Sequence, residues 1–223
     1  PDLVFYALIG GVPNTLINDA NGNLRLDLTS GDWEKILGHD PAHYDLTGID
    51  PHMIESLAPR PGLAAAGATY VLGSDPDSGR EWNTLTSAAS TDLQYACTFN
   101  LPSPRDCSGA GDPSCDCAGT NGAISAADGP PLCDVANRSS QVKGKAYPTI
   151  RELRVAKGLG QQSVIASLCA KNVTNPSAPD FGYDGAMQAI VNRLKSALAD
   201  HQCLAQTLPR AIDGSVPCMV LVV

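Results

Sequence analysis

The sequence predicts an α/β fold in which helices cover both faces of a parallel sheet. Two largely apolar runs carry this prediction, residues 3–9 and 163–169. A strand that is apolar at nearly every position needs cover on both faces, which a parallel sheet between helices provides. The chain has 223 residues, of which 43% are hydrophobic, and is therefore long enough to bury one such core.

The charge balance restricts the partners. The chain carries 23 acidic and 15 basic residues, and this acidic balance excludes nucleic acid and anionic membrane surfaces, which need a basic face. No apolar run approaches the roughly 20 residues that span a bilayer. The chain starts at Pro1 directly before a predicted buried strand, so we expect an upstream part of the precursor to complete the domain.

The cysteines predict disulfides and an oxidising compartment, so we expect a secreted or otherwise extracytoplasmic protein. A zinc site is the alternative, but Cys115 and Cys117 are separated by one residue and lack the usual zinc spacing. Locality favours a Cys203–Cys218 bridge and two bridges within residues 107–133, which leaves Cys97 to reach Cys169. The eight predicted disulfide cysteines are Cys97, Cys107, Cys115, Cys117, Cys133, Cys169, Cys203 and Cys218.

The segment after the first strand offers a possible calcium site. Oxygen-bearing side chains alternate along it, as in a calcium loop, at Asp19, Asn21, Asn23 and Asp27. The loop lacks a glutamate at the twelfth position, and Gly22 stands where the fourth residue of an EF-hand loop belongs. An Asn-Gly hairpin turn between residues 16–17 and 24–26 is therefore the favoured alternative, and no other cofactor is predicted.

Two short helices are predicted next, the first over residues 32–37 and ending before Gly38. The second is capped by Asp50, has Pro51 in its first turn and runs to Leu57. Histidines and aspartates cluster here and could form a metal site or serve a secreted hydrolase, namely His39, His43, His52, Asp40, Asp45 and Asp50. Their spacing fits no single helix face.

Residues 59–141 form a predicted insertion that is rich in Gly, Pro, Ser and Cys. Such a segment buries too little apolar surface to order itself, so we expect it to be a surface loop that disulfides constrain. Trp82, Tyr95 and Phe99, with Leu93, are expected to anchor it to the core.

Regular structure returns after the insertion. A helix from Pro148 is expected to end at Gly158 and Gly160, directly before the strand at 163–169. Asp184 caps a helix whose predicted buried stripe consists of Met187, Ile190, Val191, Leu194, Ala197 and Leu198. Residues 218–223 are the predicted terminal strand.

Several stretches together resemble a known family. They are LVFYALIGGVP, DPHMIESLAPR, GREWNTLTSAASTDLQYACTF with PRDC, KAYPTIRELRVAKGLGQQSVIASLC, and YDGAMQAIVNRLKSAL followed by VPCMVLV. Taken in this order, they resemble the C-terminal half of bacterial secreted or lipid-anchored von Willebrand factor A-like proteins, as in myxobacteria. The resemblance implies that residues 1–223 form one partial domain with a Rossmann-like, three-layer core, into which residues 59–141 are inserted.

The family resemblance also shapes the functional prediction. Members that bind ligands through a metal use an Asp-x-Ser-x-Ser loop, and the nearest stretch here, residues 106–110, fails at its last position. Ser163 lacks the glycines of a nucleophile elbow. We therefore predict a non-enzymatic extracytoplasmic module for adhesion, protein interaction or cell-surface structure. Its expected partner, which would cover the strand at 3–9, is the N-terminal part of the same precursor or another copy of the chain.

Overall fold

The structure is a computed structural model that describes residues 5–64, 75–82, 92–109, 115–117 and 129–200, with side chains to residue 196. It has a mixed α/β composition with two small sheets. The elements in chain order are β1 (Tyr6–Gly10), α1 (Asn14–Ile17), α2 (Ser30–Leu37), β2 (Cys97–Asp106), β3 (Ser140–Ala146), α3 (Ile150–Leu159), β4 (Ser163–Ser167) and α4 (Asp184–Asp200). Among these helices, none combines the length and the apolar character that crossing a membrane requires.

The two predicted core strands pair with each other. Strands β1 and β4 run parallel, with Tyr6 opposite Ser163 and Gly10 opposite Ser167. Every residue of β4 is buried. In contrast to the prediction, β1 is only half-covered, and Ala7 within it is exposed. The strands are thus shorter than predicted, and Leu3 and Val4 lie outside the described residues.

The main hydrophobic core lies where helices α1, α2 and α3 meet this sheet. Gly11 follows β1 at a point of close backbone approach, since a Cβ atom there would stand 1.7 Å from the carbonyl oxygen of Tyr147. Only glycine fits this position. The buried core residues are Val12, Leu16, Ile17, Ile36, Leu37, Met53, Ala96, Leu153, Ala156 and Ile165.

The predicted loop of residues 59–141 contains a strand that the sequence did not indicate. Strand β2 pairs antiparallel with β3, from Cys97 opposite Ala146 to Asp106 opposite Ser140. Pro102 and Pro104 interrupt β2, and prolines normally argue against a strand because they cannot donate a ladder hydrogen bond. The register shifts between Asn100 and Arg105, so the hairpin accommodates both prolines at an irregularity.

Helix α4 forms as predicted but turns a different face to the sheet. Ala186 and Ala189 are buried against β4, whereas three members of the predicted buried stripe are exposed: 54% of Met187, 40% of Val191 and 44% of Leu194. Small alanines allow the helix axis to approach the strand closely, which the larger side chains would prevent. The side chains of Ala197 and Leu198 lie outside the described residues.

The remaining helices lie close to their predicted positions, but some differ from the prediction in length. Thr29 caps α2 in a reciprocal capping box with Asp32, and Gly38 ends this helix, as predicted. Helix α3 continues through Gly158 and stops at Gly160. The predicted helix after Asp50 is only a 3-10 turn over Pro51–Met53, and residues 16–17 belong to α1 instead of a strand.

Among the described residues, three disulfides are formed, and they follow the predicted pattern. Cys97 bonds Cys169, and the bridges Cys107–Cys115 and Cys117–Cys133 lie within the predicted loop. The Cys97–Cys169 bond spans 72 positions of sequence, a closure that can stabilise a fold by about 4 kcal/mol by restricting the unfolded chain. The predicted Cys203–Cys218 bridge and the strand at 218–223 lie outside the described residues.

A buried ion pair holds the irregular segments together. The guanidinium of Arg60 donates to both carboxylate oxygens of Glu81, at 3.0 and 2.7 Å. Its other N–H groups donate to the backbone carbonyls of His52, Ile54 and Tyr95. The two side chains are 1% and 0% exposed. All five donors of the guanidinium are thus satisfied, which offsets the desolvation of the charges.

This pair generates a prediction about stability. We expect Glu81→Gln to lower the free energy of unfolding by about 3–5 kcal/mol, because it leaves the Arg60 charge buried without a counter-charge. Urea denaturation would measure the loss, and failure to fold would count as a larger one. The matched control is Asp27→Asn, which breaks the ion pair with Arg193 at a carboxylate that is 69% exposed, and should cost less than about 1 kcal/mol. Equal losses in the two variants would contradict the prediction.

Candidate functional site

The candidate site is built around the buried side chain of His52. This residue lies in the 3-10 turn that Asp50 caps. The ring nitrogen Nδ1 lies 2.7 Å from Asp50 Oδ1, and Nε2 lies 2.9 Å from Asp75 Oδ1. The side chains of His52 and Asp75 are each 10% exposed. Both ring nitrogens are therefore engaged by carboxylates.

Asp75 and Asp77 belong to one tight turn beside the imidazole. The carboxylate of Asp75 accepts backbone N–H bonds from Asp77 and Ser78, each 2.9 Å long. The hydroxyl of Thr15, in α1, donates to Asp77 Oδ2 at 2.8 Å. The ligand atoms of His52, Asp75 and Asp77 all lie within 4.8 Å of one another.

This cluster borders a cleft of about 320 Å³ between α1 and the β2–β3 hairpin. Thr15 and Asp77 line the cleft together with Thr98, Lys143 and Lys171. Burial lowers the pKa of Lys143. The cluster is thus buried on the His52 side and reaches the surface on the Asp77 side.

The proton affinities of the cluster follow from burial and from its own charges. Burial lowers the pKa of His52, but its hydrogen bonds to Asp50 and Asp75 and their charges outweigh burial and raise it to about 9. Burial raises the pKa of Asp75, but the bonds from His52 and Ser78 lower it to about 2. The pKa of Asp77 is raised, mainly by burial, although the bond from Thr15 opposes this shift.

These values limit the chemistry that His52 can perform. A general base needs a neutral nitrogen within hydrogen-bond reach of the proton it removes. His52 instead holds a proton on each nitrogen at neutral pH, and each proton faces a carboxylate. The group can stabilise negative charge, or it can exchange its Nε2 proton for a cation.

The other predicted histidines do not join this cluster. His43 Nδ1 lies 2.8 Å from Asp40 Oδ2, and His39 Nδ1 lies 3.8 Å from Glu34 Oε1, both at exposed positions. Asp45 pairs through its backbone with Asp40. The predicted grouping of histidines therefore separates into distinct local pairs, of which only the one at His52 is buried.

Of the four residues of the possible calcium site, Asp19, Asn21 and Asn23 share one turn, whereas Asp27 lies apart. Asp19 Oδ1 accepts the backbone N–H groups of Asn21 and Asn23, and Asn18 bridges Leu24 across the turn. The turn expected in the alternative interpretation is present, with Gly22 at a left-handed φ of 85°, but a helix and not a strand precedes it. Asp27 points elsewhere, since its carboxylate accepts a 2.7 Å bond from Arg193.

Sequence reasoning included His52 in the candidate cluster but missed Asp75 and Asp77. Asp75 lies 23 positions from His52, inside a segment that the composition marks as a loop. The sequence Asp-Pro-Asp-Ser at 75–78 could have indicated this turn. Closely spaced aspartates before a serine favour a turn in which side-chain oxygens bind nearby backbone N–H groups. Asp50 was noted as a helix cap, a role that it combines with contacting the ring.

A second candidate surface lies on α4. Met187, Val191 and Leu194 recur at helical spacing and form one exposed apolar stripe, which we call the α4 stripe. Contiguous exposed apolar side chains are typical of interaction sites.

Comparisons with protein-family models, with curated proteins and with solved structures find no match. The resemblance to von Willebrand factor A-like proteins stays a prediction from the sequence.

The charges around His52 predict how stability depends on pH. The folded-state pKa of His52, about 9, lies above its unfolded value of 6.5. The contribution of His52 to the free energy of unfolding is therefore complete below pH 6.5 and is lost as the pH rises through 9. The folded-state pKa of Asp75, about 2, lies below its unfolded value of 3.8. The contribution of Asp75 to the free energy of unfolding is therefore complete above pH 3.8 and is lost as the pH falls through 2. In chelator-treated protein we expect the free energy of unfolding to fall by about 3 kcal/mol between pH 6 and pH 9.5.

Urea denaturation across this pH range would measure the effect, and His52→Gln should abolish this loss. The control is His43→Gln, because the His43 side chain is 83% exposed and solvent screens its pair with Asp40. A wild-type profile that His52→Gln leaves unchanged would contradict the prediction.

Proposed function

We propose that this chain is an extracytoplasmic protein-interaction or cell-surface structural module with a Rossmann-like core, and that it does not act as an enzyme. The observation that carries the proposal is the α4 stripe. An amphipathic helix that turns alanines to its own sheet leaves its large apolar side chains available to another surface.

The edge of the parallel sheet supports the same proposal. Strand β1 pairs with β4 on one side, and no other described residue pairs with it on the opposite side. Tyr6, Leu8 and Ile9 are half-buried and Ala7 is exposed. An open, apolar strand edge is a template for association with another polypeptide, such as a second copy of this chain.

The disulfides support the extracytoplasmic part of the proposal. The bridges at Cys97, Cys107 and Cys117 join six cysteines in three pairs. Disulfides persist mainly in oxidising compartments.

The alternative, a secreted hydrolase that uses His39, His43 or His52, receives less support. Both nitrogens of His52 bind carboxylates, and its raised pKa keeps the ring charged at neutral pH. His39 and His43 are exposed beside single carboxylates. A hydrolytic base needs a neutral ring that faces a nucleophile.

The first test concerns the compartment. We expect thiol titration of the protein, unfolded without reductant after purification from an oxidising compartment, to find no free thiol among its eight cysteines. Titration after reduction provides the control for reagent access. Several free thiols in the unreduced sample would contradict the extracytoplasmic assignment.

The second test concerns association. We expect light scattering coupled to size exclusion to give a concentration-dependent mass above the 23.2 kDa of one chain. The double variant Met187→Ser/Val191→Ser should shift the protein towards the monomer, because it removes apolar area from the α4 stripe.

The matched control is Gln188→Ser/Asn192→Ser, which makes the same number of changes at polar positions of the same helix and should leave the mass unchanged. A well-folded wild-type monomer at all concentrations, with no second polypeptide bound, would show that the proposal is wrong.

A further inference from the structure

We infer that His52, Asp75 and Asp77 form a binding site for one divalent transition-metal ion, with zinc as its best-matched probe. This site goes beyond the proposed interaction function and does not depend on it. It also differs from the possible calcium site, whose residues lie in the turn near Asp19.

The first argument is the spacing of the ligand atoms. One imidazole nitrogen and one oxygen from each of two carboxylates lie within 4.8 Å of one another. Protein nitrogen and oxygen ligands stand about 2 Å from a bound zinc ion. Small rotations of the Asp75 and Asp77 side chains would therefore bring all three atoms onto one ion. Within the described residues, this is the one group of His, Cys, Asp and Glu side chains with such spacing.

The second argument is the orientation of the ligands by neighbouring groups. Metal-binding histidines usually donate their other ring N–H to a carboxylate, which fixes the ring and its tautomer. Asp50 accepts this bond from Nδ1 at 2.7 Å, so Nε2 is the nitrogen directed at Asp75. Thr15 holds the Asp77 carboxylate through a 2.8 Å bond. Each of the three ligands is thus positioned by a partner or by the turn at residues 75–78.

The third argument is the charge of the site. Three carboxylates, those of Asp50, Asp75 and Asp77, surround one imidazole in a largely buried position. Even a protonated ring leaves this cluster with excess negative charge, which is costly to bury. A divalent ion that replaces the Nε2 proton brings in one additional positive charge. It therefore compensates the carboxylates better than the proton does.

The ligand set selects the class of ion. Calcium and magnesium prefer oxygen ligands alone, and calcium takes six to eight of them. One imidazole with two carboxylates suits zinc and related first-row ions, which accept nitrogen and oxygen together. Cysteine ligation, the usual alternative for zinc, is excluded for the six described cysteines because they are joined in disulfides.

Calorimetry on the full chain would test the site. The protein, with its disulfides intact, is treated with EDTA, dialysed and titrated with ZnCl₂ near neutral pH. We expect saturable binding of one zinc ion per chain, and no comparable binding of CaCl₂. The absence of stoichiometric zinc binding would overturn the inference.

Isosteric variants locate the ion. We expect Asp77→Asn to weaken zinc binding at least about tenfold, because it removes a charged ligand without changing its shape. The matched control, Asp19→Asn, makes the same change in the turn at residues 18–24 and should leave the affinity unchanged. The opposite result, with loss in Asp19→Asn alone, would assign the ion to that turn and overturn the inference.

Cobalt gives a measurement that does not depend on the folding of Asp77→Asn. The wild-type protein loaded with Co²⁺ should show visible ligand-field absorption from a low-coordinate nitrogen and oxygen site. Thr15→Val, which removes only the hydroxyl that orients Asp77, should weaken Co²⁺ binding relative to the wild-type protein. A wild-type spectrum identical to that of free aqueous Co²⁺ would overturn the inference.

Discussion

The ion pair between Arg60 and Glu81 is the constraint on which the irregular half of this structure depends. Residues 51–64, 75–82 and 92–96 contain almost no regular secondary structure, so few backbone ladders fix their positions. The guanidinium joins all three segments through its bonds to Glu81 and to the carbonyls of His52 and Tyr95. A buried pair of this kind stabilises a fold only when every donor is satisfied. This requirement makes the arrangement of the three segments specific, since a displaced carbonyl would leave a buried N–H without a partner.

The same ion pair also positions the residues of the candidate metal site. Arg60 holds the backbone of His52, and Glu81 follows Asp75 and Asp77 closely in the sequence. The two sides of the His52 cluster therefore meet because Arg60 and Glu81 meet. Local hydrogen bonds then complete the positions, from the His52 ring to Asp50 and from Thr15 to Asp77. The site thus depends on an ion pair, Arg60–Glu81, that does not itself line the cleft.

Sequence patterns predicted those features that local physics determines. Uninterrupted apolar runs located β1 and β4, the capping residues located α2, and the short separations between cysteines favoured the observed bridges. Features that depend on tertiary contacts escaped the same reasoning. Residues 60 and 81 are 21 positions apart and His52 and Asp75 are 23 apart, so no periodicity connects them. Helix α4 shows a further limit, because hydrophobicity ranks Met187 above Ala186, whereas close packing on β4 selects the smaller side chain.

The two sheets rely on different forces, and one disulfide connects them. The parallel pair β1–β4 is packed by aliphatic side chains from the helices around it. The hairpin side has a separate core in which Trp82 and Tyr95 pack on Leu132 and on cysteines of the two local bridges. An aromatic and sulfur-rich cluster of this size buries little area for each ordered residue, so covalent closure offsets part of the entropy that ordering costs. Cys97 begins β2 and Cys169 follows β4, so their bond fixes the hairpin to the end of the parallel sheet. Cys97 and Cys169 also line the cleft beside Asp77. Reduction of this bond would therefore remove the covalent link between the two walls of the cleft.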